Sequence, residues 1–291
     1  MKNVAIVTDS TVCLPQDLVE QYRIEIVPME FISEGKIYRD GIDMSPSEFY
    51  RFLSRIDKLP TTSAPTPGTY FEVFKKVSTR ANSILVVTLS KKLSHAYDSA
   101  KTAVEIAKTR LQDVIIEVLD CGTAAGSQGL IVLEAARSAA SGTSLAGLID
   151  EAKRLMPRVH LIAFIDTLTY LAKGGRVPQI VAWASALLNI KPIIELLPLS
   201  GGAVPLDKMR TRGRATEHLI NLLRQRTDRK PMHAIVLHSD ALKDAENFKA
   251  RIESEFNCQE IYVRDFSPVM GIHTGPGLLG IAYYFDEPAT G

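Results

Sequence analysis

Val4-Ala5-Ile6-Val7 runs directly into Thr8-Asp9-Ser10-Thr11, and this pattern of an apolar run followed by small polar residues returns twice. Ile84-Leu85-Val86-Val87 ends in Thr88 and Ser90, and Val114-Ile115-Ile116-Glu117-Val118-Leu119 ends in Asp120. Short continuous apolar runs suit strands buried on both faces, as in a parallel sheet covered by helices. Helical signals lie between them. Ser45-Pro46-Ser47-Glu48 is a capping-box pattern with Pro at the first helical position, and Thr66-Pro67 opens a helix through Phe71, Phe74 and Val77. The alternation predicts an α/β fold whose first part is a three-layer α/β/α domain with a mainly parallel sheet.

The second half reads differently. Leu161 to Ile165 is strand-like, Lys173-Gly174-Gly175-Arg176 is a tight glycine turn, and an apolar helix is expected around Trp183 to Leu188. Trp183, Leu187 and Leu188 read as core residues. Ile193 to Leu197, Ser200-Gly201-Gly202 and Val204 to Met209 form a hairpin pattern with a glycine-rich turn. Ala234 to Leu237, Ile261 to Val263 and Leu279 to Phe285 are further strands. Hairpins mixed with helices predict a second α/β domain with a mixed sheet. A boundary at Met156-Pro157-Arg158 divides the chain into domains 1–156 and 157–291. No flexible linker marks it, so the two domains are expected to share a sizeable interface.

The 291 residues are 46% hydrophobic and 23% charged, which excludes disordered and low-complexity classes. Thirty-four Lys and Arg against 33 Asp and Glu leave a net charge of +1, so no global charge draws the chain to nucleic acid or an anionic membrane. No transmembrane segment and no signal h-region is found, and a cytoplasmic protein is expected. The three cysteines, Cys13, Cys121 and Cys258, are widely spaced and form no CxxC pair. With no HExxH pattern either, neither a metal nor a cofactor is expected.

The polar residues at the strand ends, with Thr61-Thr62-Ser63 just ahead of a helix start, gather hydroxyls where open α/β sheets bind ligands. Such a set serves a small anion, or simply caps helices. No P-loop or GxSxG elbow is present. Gly271-Ile272-His273-Thr274-Gly275-Pro276-Gly277 reads as a glycine-rich loop holding His273 at a cleft or in a plain turn. Arg210, Arg212 and Arg214 follow the hairpin, where a solvated helix start is the simplest role.

Taken together and in order, these residues resemble the DegV family of bacterial fatty-acid-binding proteins. The resemblance runs over nearly the whole chain. It rests on Ile6–Thr11 with Leu14-Pro15, Tyr38-Arg39-Asp40-Gly41, Glu48-Phe49-Tyr50 and Pro60-Thr61-Thr62-Ser63 with Pro65. It continues through Leu93-Ser94, Tyr97 to Ala100, Tyr170-Leu171, Gly174-Gly175-Arg176, Lys191-Pro192 and His273 to Gly277. The chain departs from the family pattern at Ala64 in place of Gln, Thr66 in place of Ser, His95 in place of Gly and Ala96 in place of Thr.

The resemblance implies one long-chain fatty acid in a tunnel between the domains, presented to a separate fatty acid kinase that makes an acyl phosphate for phospholipid synthesis. It implies carboxylate binding at Thr62 and Ser94, with the backbone of His95 and the ring of His273 beside them. Arg210 and His273 are then expected to serve presentation and transfer, and the protein itself is expected not to be an enzyme. The competing reading is an enzyme acting on a small anionic metabolite, with His273 as acid/base and Arg210 as anion clamp.

Overall fold

The computed structural model describes residues 4–111, 113–175, 180, 190–227 and 230–286. Strand β1 (Val4–Asp9) leads through a 3-10 turn to α1 (Gln16–Gln21) and β2 (Glu25–Val27). Then come β3 (Glu30–Ser33), β4 (Lys36–Arg39), α2 (Pro46–Leu53), β5 (Thr61–Ser63), α3 (Pro67–Ser78), β6 (Ser83–Thr88), α4 (Ala96–Arg110), β7 (Ile115–Asp120), α5 (Ala125–Ala140) and α6 (Leu145–Leu155). A second 3-10 turn at Met156–Arg158 precedes β8 (His160–Phe164), α7 (Thr169–Gly174), β9 (Lys191–Leu196), β10 (Ala203–Met209) and α8 (Arg212–Arg226). The chain ends with β11 (Met232–His238), α9 (Leu242–Glu255), β12 (Cys258–Asp265), α10 (Pro268–Thr274) and β13 (Leu279–Phe285).

The N-terminal sheet has the order β2-β1-β6-β7 and all its pairings are parallel. Its apolar runs are continuous because each face is covered. Ala5, Val7, Ile84 and Val86 pack with Tyr70, Phe74, Ala100 and Ala103 of α3 and α4, whereas Ile6, Leu85 and Val87 join the core that contains α5. The capping box of α2 is present: Ser45 Oγ accepts from Glu48 N–H, and Glu48 accepts from Ser45 N–H at 2.9 Å.

The second sheet has the order β10-β9-β8-β13-β11-β12 and is mixed, with β11 and β12 parallel and the other pairs antiparallel. One face carries Ile162, Phe164, Ile193 and Val236 against Leu219 of α8 and Phe248 of α9. The other carries Leu161, Ala163, Ile194 and Leu196 into the core shared with α5. This two-domain α/β arrangement agrees with the sequence reading.

Helix α5 is the layer common to both sheets. Twelve of its sixteen residues are buried, so it shows no polar stripe. Its glycines permit that burial: a Cβ on Gly129 would lie 2.5 Å from the Val12 carbonyl oxygen, and one on Gly126 would lie 2.9 Å from Ala282 Cβ. A small antiparallel sheet, β4-β3-β5, was not anticipated, and it makes Thr61-Thr62-Ser63, ahead of the α3 start, a strand. The helix expected around Trp183 to Leu188, with Arg176, lies outside the described residues. Among the described residues no helix is long and apolar enough to cross a membrane.

Candidate functional site: a cavity between the domains

Residues of both domains line a cavity of about 790 Å³, which is within the usual range for a small-molecule site. Leu161, Ala163, Ile194, Leu196 and Ala203 from the mixed sheet form apolar wall, facing Leu89, Ala124 and Ala125. Phe266, Val269 and Met29 add to it. Most of the polar lining comes from three segments, Thr62 and Ser63 on β5, Lys91 to His95 ahead of α4, and His273 and Thr274 at the end of α10, with Thr11, Thr66 and Ser99 beside them.

Thr62 and His273 are brought together from opposite ends of the sequence. Thr62 pairs with fully buried Phe31 in the small sheet, and its Oγ1 lies 3.0 Å from His273 Nε2. His273 sits in the last turn of a helix, which corrects the expectation of a glycine-rich loop. Pro268 starts that helix, and backbone with positive φ begins only at Gly275 (+72°) and Gly277 (+86°). Within that helix position 271 must be glycine, because a Cβ there would stand 2.6 Å from the Tyr50 hydroxyl. The imidazole is backed by Gly174, where a Cβ would lie 2.6 Å from Nδ1. Gly175 ends α7 in the left-handed conformation, in keeping with the glycine turn read there.

Ser94 and His95 line the same cavity, just before α4. Ser94 Oγ accepts from Ala96 N–H at 3.2 Å, so this hydroxyl also serves the helix start. His95 has φ −83°, ordinary backbone for any residue, so replacing the family glycine costs no strain there. Its exposed ring lies 3.3 Å from the Asp98 carboxylate. Arg210 is exposed at the β10–α8 corner and is not among the lining residues. Its neighbour Arg212 is engaged by Asp166, Asp244 and the Gly277 carbonyl oxygen.

The polar residues at the end of β1 are engaged within the protein, although Thr11 also lines the cavity. Asp9 is fully buried and accepts from Thr11, from Leu89 N–H at 2.8 Å and from Gln128 Nε2 at 3.1 Å. Thr8 Oγ1 donates to the Val87 carbonyl, and Ser10 Oγ donates to Asp40. Sequence reasoning missed three contributors. Lys91 and Lys92 line the cavity, and nothing in their local pattern distinguished them from solvated lysines. Asp40 was seen only as part of a motif, although the residue is 2% exposed.

Burial lifts the Asp40 carboxyl to about 6, with hydrogen bonds from Ser10 and from Val269 N–H opposing the rise and nearby Asp9 adding to it. A pKa raised on folding means the native state holds the proton longer than the unfolded chain. The Asp40 contribution is therefore fully present below about pH 4 and lost as pH rises through about 6. In unfolding titrations at stepped pH, Asp40→Asn is expected to remove a downward slope in stability across that window, on the order of 3 kcal/mol at most. Parallel profiles for the two proteins would contradict this assignment.

Glu134, His233 and Glu260 converge closely enough to suggest a metal site. Arg137 already supplies their cation, with its guanidinium bound to both Glu134 and Glu260. Burial raises the Glu260 carboxyl, but hydrogen bonds from Arg137, His233 and Tyr262 outweigh it and hold the group well below the usual carboxylate range. The cluster ties α5 to β11 and β12, and reads as an ion-pair network.

The family model described as "Uncharacterised protein, DegV family" matches residues 3–286. A DegV domain-containing protein of Clostridium perfringens is 31% identical over 281 residues, covering 96% of this chain and 98% of that protein. The structure of a DegV family protein from Thermus thermophilus, reported for its fatty acid binding, superposes with a TM-score of 0.89 at 29% identity, over 98% of this chain and 100% of that one. DegV of Bacillus subtilis, described as a fatty acid binding protein, superposes with a TM-score of 0.88 at 28% identity, again over 98% and 100%. With a matched family model, a matched fold and its motifs gathered around one cavity, this chain belongs to the DegV family.

Proposed function

We propose that the protein holds one long-chain fatty acid in the interdomain cavity and presents its carboxylate to a separate fatty acid kinase. The observation that carries this reading is the cavity itself: about 790 Å³, apolar over most of its wall, with hydroxyls and imidazole converging from three segments. The likeness to fatty-acid-binding relatives supports it. The domains divide at 156/157, the cytoplasm is the site of action, and the product feeds phospholipid synthesis.

The energetics suit a carrier. A tail of about fourteen methylenes at ~0.8 kcal/mol each contributes on the order of 11 kcal/mol gross. Association costs ~4–15 kcal/mol, so tail burial must dominate affinity. The head group must not leave a buried carboxylate unpaired. Thr62 and Ser94 supply hydroxyls for it, and the backbone N–H of His95 and the His273 ring supply further donors. The phosphoryl donor comes with the partner, because the chain carries no recognisable phosphate-cradling loop.

His273 and Arg210 act in presentation. A histidine moves protons near neutral pH, and an arginine steadies growing negative charge. His273→Ala and Arg210→Ala are therefore expected to keep bound fatty acid, with at most a several-fold weaker affinity. Both are expected to support far less acyl phosphate formation with a cognate kinase. The test measures lipid occupancy and kinase-coupled turnover on the same samples. Full turnover in both variants would remove the presentation role. Acyl phosphate made from ATP, Mg²⁺ and palmitate with no second protein would overturn the carrier reading in favour of an enzyme.

A further inference from the structure

Helix α10, which carries His273, is seven residues long, and its own N-cap Ser267 makes no side-chain cap bond. A helix start leaves backbone N–H donors that need partners. Here Val269 N–H is taken by Asp40 Oδ1 at 3.0 Å, from a residue 229 positions earlier. That carboxylate is itself held firmly by the N-terminal domain. Its other oxygen accepts from Ser10 Oγ at 2.6 Å, Ser10 Oγ accepts from Met29 N–H at 3.0 Å, and Asp40 N–H donates to the Met29 carbonyl at 2.8 Å.

Midway along α10, Gly271 lies against Phe49 and Tyr50 of α2 with no room for a Cβ. One turn beyond Val269, His273 meets Thr62. The helix is thus a short rod. Its start is capped by one domain, and its last turn reaches a side chain of that same domain inside the cavity. A helical residue advances ~1.5 Å along the axis. A slip of even part of that step would stretch the 3.0 Å contact between Thr62 and His273 out of hydrogen-bond range.

We propose that Asp40 is a positioning residue: by capping α10 across the domain interface, its carboxylate sets where His273 stands relative to Thr62 in the cavity. The proposal deepens the reading of the cavity as a fatty acid site, and rests on that reading only for the second of its two tests. Asp40 touches no ligand in this scheme. It acts through the helix and through His273.

The first test needs no ligand. The ring carbon and proton resonances of His273 are recorded in the wild type, in Asp40→Ala, which removes the acceptor, and in Asp40→Asn, whose amide oxygen can still accept from Val269 N–H. The ring signals are expected to move in Asp40→Ala and to stay near their wild-type positions in Asp40→Asn. Wild-type ring signals in a folded Asp40→Ala protein would overturn the proposal, whatever the protein binds. Should Asp40→Ala fail to fold, Val269→Pro, which removes the donor N–H in the first helical turn, decides in the same way.

The second test is a double-mutant cycle on palmitate affinity. Asp40→Ala and His273→Ala are each expected to weaken binding about fivefold, and the double variant no further than either alone. Multiplicative losses would show that Asp40 acts by a route other than His273 and would overturn the proposal. If the wild type binds no palmitate, the fatty acid reading fails and the ring resonances alone judge the positioning role.

Discussion

Replacing Ala203 by phenylalanine is expected to lower fatty acid affinity about a hundredfold while leaving the protein folded. Ala203 opens β10, pairs with Leu196 and lines the cavity. β10 is an edge strand of its sheet, so its backbone has room to adjust. The added ring takes the space of roughly four methylenes of an acyl tail, worth about 3 kcal/mol of burial and hence roughly two orders of magnitude in Kd. Overpacking costs ~1–3 kcal/mol when a core is already full. Here the cavity receives the ring, so the thermal midpoint should change little. Displacement of a fluorescent fatty acid, with circular dichroism on the same samples, checks both halves. Unchanged affinity in a folded variant would move the tail elsewhere.

Loss of the head-group hydroxyls is the second large effect. Thr62→Val keeps the shape of the side chain and removes the oxygen that lies 3.0 Å from His273 Nε2. Ser94→Ala removes an oxygen that also accepts from Ala96 N–H at the start of α4. Hydrogen bonds to a charged group are worth ~1.5–3 kcal/mol, so each variant is expected to bind palmitate roughly ten- to a hundredfold more weakly. Both should lose a little stability as well, Ser94→Ala through the helix start and Thr62→Val through its contact with His273. Calorimetric titration of both variants gives the answer. Wild-type affinity in the pair would sink the carboxylate assignment.

The fold was legible where local chemistry and tertiary environment agree. Strands β1, β6 and β7 were readable as unbroken apolar runs because both faces of their sheet are covered. The start of α2 was readable because Ser45 and Glu48 satisfy each other's backbone donors within four residues. Helix α5 was not singled out, because burial on all sides erases the polar stripe that marks a surface helix. β5 escaped notice because Thr61-Thr62-Ser63 is short and polar, and only its pairing with β3 makes it a strand.

Site residues followed the same division. Thr62, Ser94, His95 and His273 were named from their motifs, and all four line the cavity. The secondary structure around His273 was misjudged, because glycines that permit close packing against Tyr50 and Tyr170 look like loop glycines in a string of letters. The roles of Asp9 and Asp40 could not be read at all. Their partners, Gln128 and Val269, stand 119 and 229 residues away, and no local pattern announces a buried carboxylate.

Native mass spectrometry of the protein, purified without denaturant or added lipid, tests the central claim most directly. The account predicts one adduct per chain with the mass of a long-chain fatty acid, retained in His273→Ala and absent from Ala203→Phe. A bare protein mass, or an adduct that survives unchanged in Ala203→Phe, would contradict it.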